Sequence, residues 1–146
     1  MRHSVIKTES KVLIMNVLCP VLIGALFYYL TSPDVIFVKY IDAVIGSRLH
    51  FRLFSMDNVF GKFIRNYFLD MLWAYALVFA LFFILGNNTV FLWKTFGTAF
   101  SFSAVMEILQ LAPAVMGTFD VLDIGVECLA EIIAVIIIKK YNLGGS

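Results

Sequence analysis

Four stretches of this chain, residues 12–30, 67–85, 90–111 and 120–138, are apolar and long enough to cross a bilayer, and carboxylates lie inside or at the edge of them. Spanning the hydrocarbon core takes about 20 mostly apolar residues in helical form. A charged side chain held there costs roughly 3 kcal/mol on insertion scales. Asp70, Glu107, Asp123, Glu127 and Glu131 therefore need a partner, a water-filled cavity or a proton. Two constraints follow. The fold class is all-α, a four-transmembrane-helix bundle forming one integral membrane domain over residues 1–146, and its acids must turn inward.

Composition supports this class. Hydrophobic residues make up 62% of the chain and charged residues 14%, far from the balance of a water-soluble domain. A net charge of +1 gives no field for nucleic acid. Cys19 and Cys128 both fall in apolar stretches and read as small buried hydrophobes. The first stretch follows Arg2, Lys7 and Lys11, but it exceeds the core of a signal peptide and has no clear cleavage site, so it reads as a retained span kinked at Pro20. Residues 35–45, with Lys39 and Asp42 embedded, are too short to span and predict an interfacial or re-entrant helix. Residues 46–66 mix basic and apolar side chains and read as a loop on the membrane surface.

Four spans place both termini on one side. That side carries Arg2, Lys7, Lys11, Lys94, Lys139 and Lys140; the other carries Lys39, Arg48, Arg52, Lys62 and Arg65. The basic group beside the first span favours cytoplasmic termini.

Tracing the spans up and down brings Asp70, Glu107, Gln110, Asp123 and Glu127 to similar depth in the leaflet away from the termini. Asp120, Asp123, Glu127 and Glu131 are spaced three, four and four apart, which stacks them on one helix face. Glu107 and Gln110 share a face, as do Asn66, Asp70 and Trp73. The expected result is a polar pocket opening at the non-cytoplasmic surface. Asp70, Glu107 and Glu127 are the candidate catalytic groups. Asn66, Arg65, Gln110 and Trp73 are candidates for holding a substrate, Arg65 through a phosphate. Asp120 and Asp123 are candidates for a divalent cation such as Mg²⁺ or Ca²⁺, since hard cations take oxygen ligands. Simpler roles compete with these. Asp120 reads first as a helix N-cap, Trp73 as an interfacial anchor or a core residue, and Glu131 as a protonated structural residue or a partner of Lys94. Glu107 lies at a helix C-terminus, where the dipole opposes negative charge, so capping does not explain it. GxSxG, HExxH, Walker and CxxC motifs are absent.

The segment Met106-Glu107-Ile108-Leu109-Gln110-Leu111, a short hairpin, and then Gly117-Thr118-Phe119-Asp120-Val121-Leu122-Asp123-Ile124 resembles the signature of VanZ-like membrane proteins, an E-x-x-Q pair followed by a D-x-x-D pair opening the last helix. Asn66-Tyr67-Phe68-Leu69-Asp70-Met71-Leu72-Trp73 is similar to the family's upstream aspartate segment. This chain has Thr118, Glu127 and Ala130 where the family commonly has arginine, asparagine and glycine nearby. The resemblance, over roughly residues 60–135, implies a multi-pass protein of a bacterial cell membrane. It implies association with resistance to the glycopeptide teicoplanin, and kinship with enzymes acting on lipid head groups or lipid-linked cell-wall intermediates. The expected function is thus processing of a phospholipid or lipid-linked head group in the outer leaflet. A non-enzymatic binder of glycopeptide or head groups is the alternative, and a proton or cation pathway the third.

Overall fold

The computed structural model describes residues 2–31, 36–45, 59–85, 88–112 and 119–141, with the side chains of residues 2–10, 37, 45, 59, 60, 62, 65 and 66 outside the description. The described residues form helices α1 (Arg2–Thr31), α2 (Ile36–Ile45), α3 (Val59–Ile84), α4 (Leu92–Leu109) and α5 (Val121–Lys140), with a 3-10 turn (Thr89–Phe91) leading into α4. No strand occurs among them. Two segments, Lys11–Thr31 and Tyr67–Ile84, are long and apolar enough to cross a membrane, with mean hydropathy of 2.1 and 2.0. In α5, Asp123, Glu127 and Glu131 interrupt the apolar run, and in α4 Lys94 and Glu107 do so near the two ends.

Local chemistry sets the boundaries. Asn88 accepts a hydrogen bond from the Val90 amide and opens the 3-10 turn. Asp120 caps α5 by accepting from the Leu122 amide at 2.9 Å, which satisfies one of the donors a helix start leaves unpaired. Lys139 and Lys140 end α5, where positive charge suits the helix dipole. The surface loop expected over residues 46–66 is corrected in part: Val59 to Asn66 are helical and extend α3 outward. Lys62, Arg65 and Asn66 hide this extension from a reading based on hydropathy, since they are polar yet fully compatible with a helix. The remainder of that loop, residues 46–58, and the hairpin residues 113–118 lie outside the described residues.

Helix α3 is the hub and packs against α1, α4 and α5, while α4 also packs on α5. Small residues allow close approach. A methyl added at Gly24 of α1 would meet Leu69 Cδ2 at 3.5 Å and Leu72 Cδ1 at 3.7 Å on α3. Ala99 on α4 and Ala130 and Ala134 on α5 are buried, the small-residue packing that suits helices without a hydrophobic drive between them. The apolar core joins Leu13, Val78, Phe79, Phe82, Leu92, Ala134, Val135 and Ile138. These residues come from the N-terminal half of α1, the beginning of α4 and the C-terminal parts of α3 and α5, so the core fills the half of the bundle nearest the 3-10 turn. Helix α2 is tied to the end of α1 by the Tyr29 hydroxyl, which donates to Asp42 Oδ1 at 2.7 Å.

The outer surface is also apolar. Leu22 is 65% exposed, Leu122 61% and Phe102 56%, and Ile136, Leu129 and Trp93 are similarly uncovered. Large contiguous apolar surfaces of this kind are rare on soluble monomers.

Two tests follow from this packing. Gly24→Ala should fold normally with an unchanged or slightly raised melting temperature, because its methyl reaches only ordinary contact distance and alanine favours the helix by about 1 kcal/mol. Phe79→Ala should destabilise by about 3–5 kcal/mol in detergent unfolding, since Phe79 is fully buried.

Candidate functional site

The half of the bundle opposite the apolar core is polar, and two hydrogen bonds fix its register. Ser103 Oγ on α4 donates to Glu131 Oε1 on α5 at 3.1 Å. The two helices run in opposite directions, so moving one turn along each brings Glu107 opposite Glu127. The Tyr67 hydroxyl on α3 donates to Asp120 Oδ2 at 2.9 Å. Helices α3 and α5 run in the same direction, so Asp70 lies level with Asp123. The offset between these two layers is about one turn, near 5–6 Å.

Electrostatics agree with that register. Each of Asp70, Glu107, Asp123 and Glu127 lies close enough to the other three to interact through its charge, and Asp120 and Glu131 extend the group at its two ends. Glu107 is only 6% exposed and Glu131 is fully buried. Gln110 Nε2 donates to Glu107 Oε1 at 2.7 Å. Three oxygens, Glu107 Oε2, Glu127 Oε2 and Glu131 Oε2, are buried with no hydrogen-bond donor. Removing a carboxylate oxygen from water without a partner is costly, so this half of the bundle retains unmet accepting capacity.

The structure thus brings together Asp70, Glu107, Gln110, Asp123 and Glu127. Trp73 is more than half exposed on α3, facing the surroundings of the bundle as an anchor would. Arg65 and Asn66 belong to α3, but their side chains lie outside the described residues. Asp120 and Asp123, the pair expected to hold a cation, stand three residues apart at the start of α5. Asp120 uses Oδ1 on the Leu122 amide and Oδ2 on Tyr67. Among the described residues no group of three or more His, Cys, Asp or Glu side chains converges to hold a metal ion. Of the two readings of Glu131, the pairing with Lys94 is corrected. Glu131 accepts from Ser103, and Lys94 is exposed with its Nζ 5.3 Å from the Phe91 ring centroid. Nine residues separate Lys94 from Ser103, about 13 Å along the helix axis, too far for the lysine to reach the same carboxylate.

No family model, curated protein or solved structure matches this chain. The site is therefore read from its own residues.

Two of those residues are not legible as site members from the acids alone. Ser103 stands four residues before Glu107, and that spacing is the available signal for it. Tyr67 stands three before Asp70 on the same side of α3, and only the contact with α5 gives it a role.

The Ser103–Glu131 bond can be tested directly. Ser103→Ala should cost about 1–3 kcal/mol in detergent unfolding, because it strips the last donor from a fully buried carboxyl group. A Ser103→Thr variant keeps the hydroxyl and should recover much of the loss.

Proposed function

We propose that the chain is a four-span membrane protein that receives a lipid head group, from a phospholipid or a lipid-linked cell-wall precursor, in its acid cluster and processes it there. The observation that carries this reading is the pair of donorless oxygens, Glu107 Oε2 and Glu127 Oε2, on opposed helices at one end of the bundle. An acceptor pair of this kind can take hydrogen bonds or a proton from a group arriving from the head-group layer.

The four-span reading is supported by the apolar outward faces of α4 and α5. Leu122, Leu129, Ile136 and Phe102 are exposed on them, while Glu107 and Glu131 are buried on the inner sides. This is the arrangement lipid requires of helices that carry acids. At 20 residues α5 is about 30 Å long, enough to span the hydrocarbon. The basic residues Arg2, Lys7 and Lys11 in the first third of α1 favour cytoplasmic termini, and with them an outer-leaflet cluster.

Within this scheme Glu107 or Asp70 is the general base, Glu127 its acidic counterpart across the gap, and Gln110 the group that orients Glu107. The resemblance to VanZ-like proteins supports a head-group or lipid-linked substrate and a link to glycopeptide resistance. A proton or cation pathway is disfavoured. Phe79, Phe82, Leu92 and Ile138 pack the other half of the bundle with apolar side chains, a poor medium for a moving charge.

The test is lipid analysis of vesicles containing the protein, made from bacterial lipid extract. Wild-type protein should convert one lipid or precursor species with turnover. Glu107→Gln and Asp70→Asn, inserted normally, should each slow conversion by ~10²-fold or more, the usual contribution of a general base. Retained conversion or full glycopeptide protection in both variants would rule out the catalytic assignment. Stoichiometric retention without turnover would identify a binder.

A further inference from the structure

We infer that the group held by this cluster is a primary ammonium. The inference rests on the head-group reading above and narrows it to one chemistry.

Three features point the same way. First, the site is a set of acceptors. Asp70, Glu107, Asp123 and Glu127 interact with one another by charge, and among the described residues no lysine or arginine pairs with them. A phosphate placed among them would add one more anion to four acids in a poorly screened environment, where like charges interact strongly. A cation relieves the repulsion instead.

Second, the unmet need is for donors. Glu107 is more than nine-tenths buried, and its Oε2, like Glu127 Oε2, has no hydrogen-bond partner. Glu107 Oε1 is already taken by Gln110 at 2.7 Å. A primary ammonium supplies three N–H donors and no acceptor, and its charge-assisted bonds to carboxylates are among the stronger hydrogen bonds.

Third, the spacing suits an ammonium better than a bare metal ion. No three carboxylates among the described residues converge on one point. A divalent ion needs its oxygens at about 2.0–2.6 Å from a common centre. An ammonium needs no such common centre of oxygens: each N–H takes one acceptor at about 2.8 Å, and Glu107 Oε2 and Glu127 Oε2 are acceptors without a donor. A quaternary ammonium is excluded on the same reasoning. It has no N–H and is recognised by aromatic faces, whereas the cluster offers oxygens.

The depth is that of a head group. Glu107 is in the last turn of α4 and Asp123 in the first turn of α5. A soluble amine has the same nitrogen chemistry, so the experiment separates the two sources.

The full-length protein, purified in detergent, is presented with equimolar phosphatidylethanolamine, phosphatidylcholine and phosphatidylglycerol of identical acyl chains, and bound lipid is counted by native mass spectrometry. Phosphatidylethanolamine should be retained about tenfold over either competitor, a difference of about 1.4 kcal/mol. Glu107→Gln and Glu127→Gln should bring that ratio close to one, with helix content unchanged by circular dichroism. The wild-type ranking decides the question even where a variant fails to fold. Equal retention of phosphatidylcholine, or preference for phosphatidylglycerol, overturns the ammonium assignment and leaves the head-group site standing. Retention of no lipid overturns the head-group site and this inference with it. Free ethanolamine is added in a separate arm. Displacement of the enriched phosphatidylethanolamine by free ethanolamine at the lipid's own concentration keeps the ammonium and overturns its lipid source.

Discussion

Burial of carboxyl groups among helices that are otherwise apolar is the constraint on which this structure depends. Each acid is expensive in hydrocarbon, and four acids that feel one another's charge are more expensive together. The bundle tolerates them by dividing itself. Phe79, Phe82, Leu92 and Ile138 fill one half with close-packed apolar side chains. The other half gives each polar group what donors it can: Gln110 for Glu107, Ser103 for Glu131, Tyr67 and a backbone amide for Asp120. Supply falls short at Glu107 Oε2, Glu127 Oε2 and Glu131 Oε2. That deficit is what the proposed head-group site draws on.

Helix α3 makes that division possible. It touches α1, α4 and α5, and it contributes to both halves, with Tyr67 and Asp70 towards its middle and Val78, Phe79 and Phe82 near its C-terminal end. Its polar and apolar segments are successive along its length. The packing of the apolar half therefore positions the acids of the other half without sharing residues with them.

Much of this organisation is legible in the sequence, for identifiable reasons. Helices forced by long apolar runs announce themselves, and the spacing of Asp120, Asp123, Glu127 and Glu131 places them on one face of α5 without coordinates. The outward extension of α3 is not legible, because the polar residues Lys62 and Arg65 fit a surface loop as readily as a helix. Lys94 attracts attention as a partner for Glu131 because it is the nearest cation by reach; the antiparallel register of α4 and α5 selects Ser103 instead. The bonds that Asp120 makes are hidden for a similar reason. A capping aspartate already spends its oxygens locally, and the Tyr67 hydroxyl, supplied by another helix, cannot be inferred from residues 120–123.

One bond in the apolar half sets the alignment of α1. The Tyr75 hydroxyl on α3 donates to Asn16 Oδ1 at 2.6 Å, while Asn16 Nδ2 donates to the Val12 carbonyl of its own helix. Leucine and valine side chains are nearly interchangeable as neighbours, so a purely aliphatic seam would tolerate α1 sliding past α3 by a helical turn, about 5.4 Å. An oriented phenol–amide contact does not survive that slip. It acts as a detent, holding α1 at one height, much as a lone buried asparagine fixes the alignment of a coiled coil.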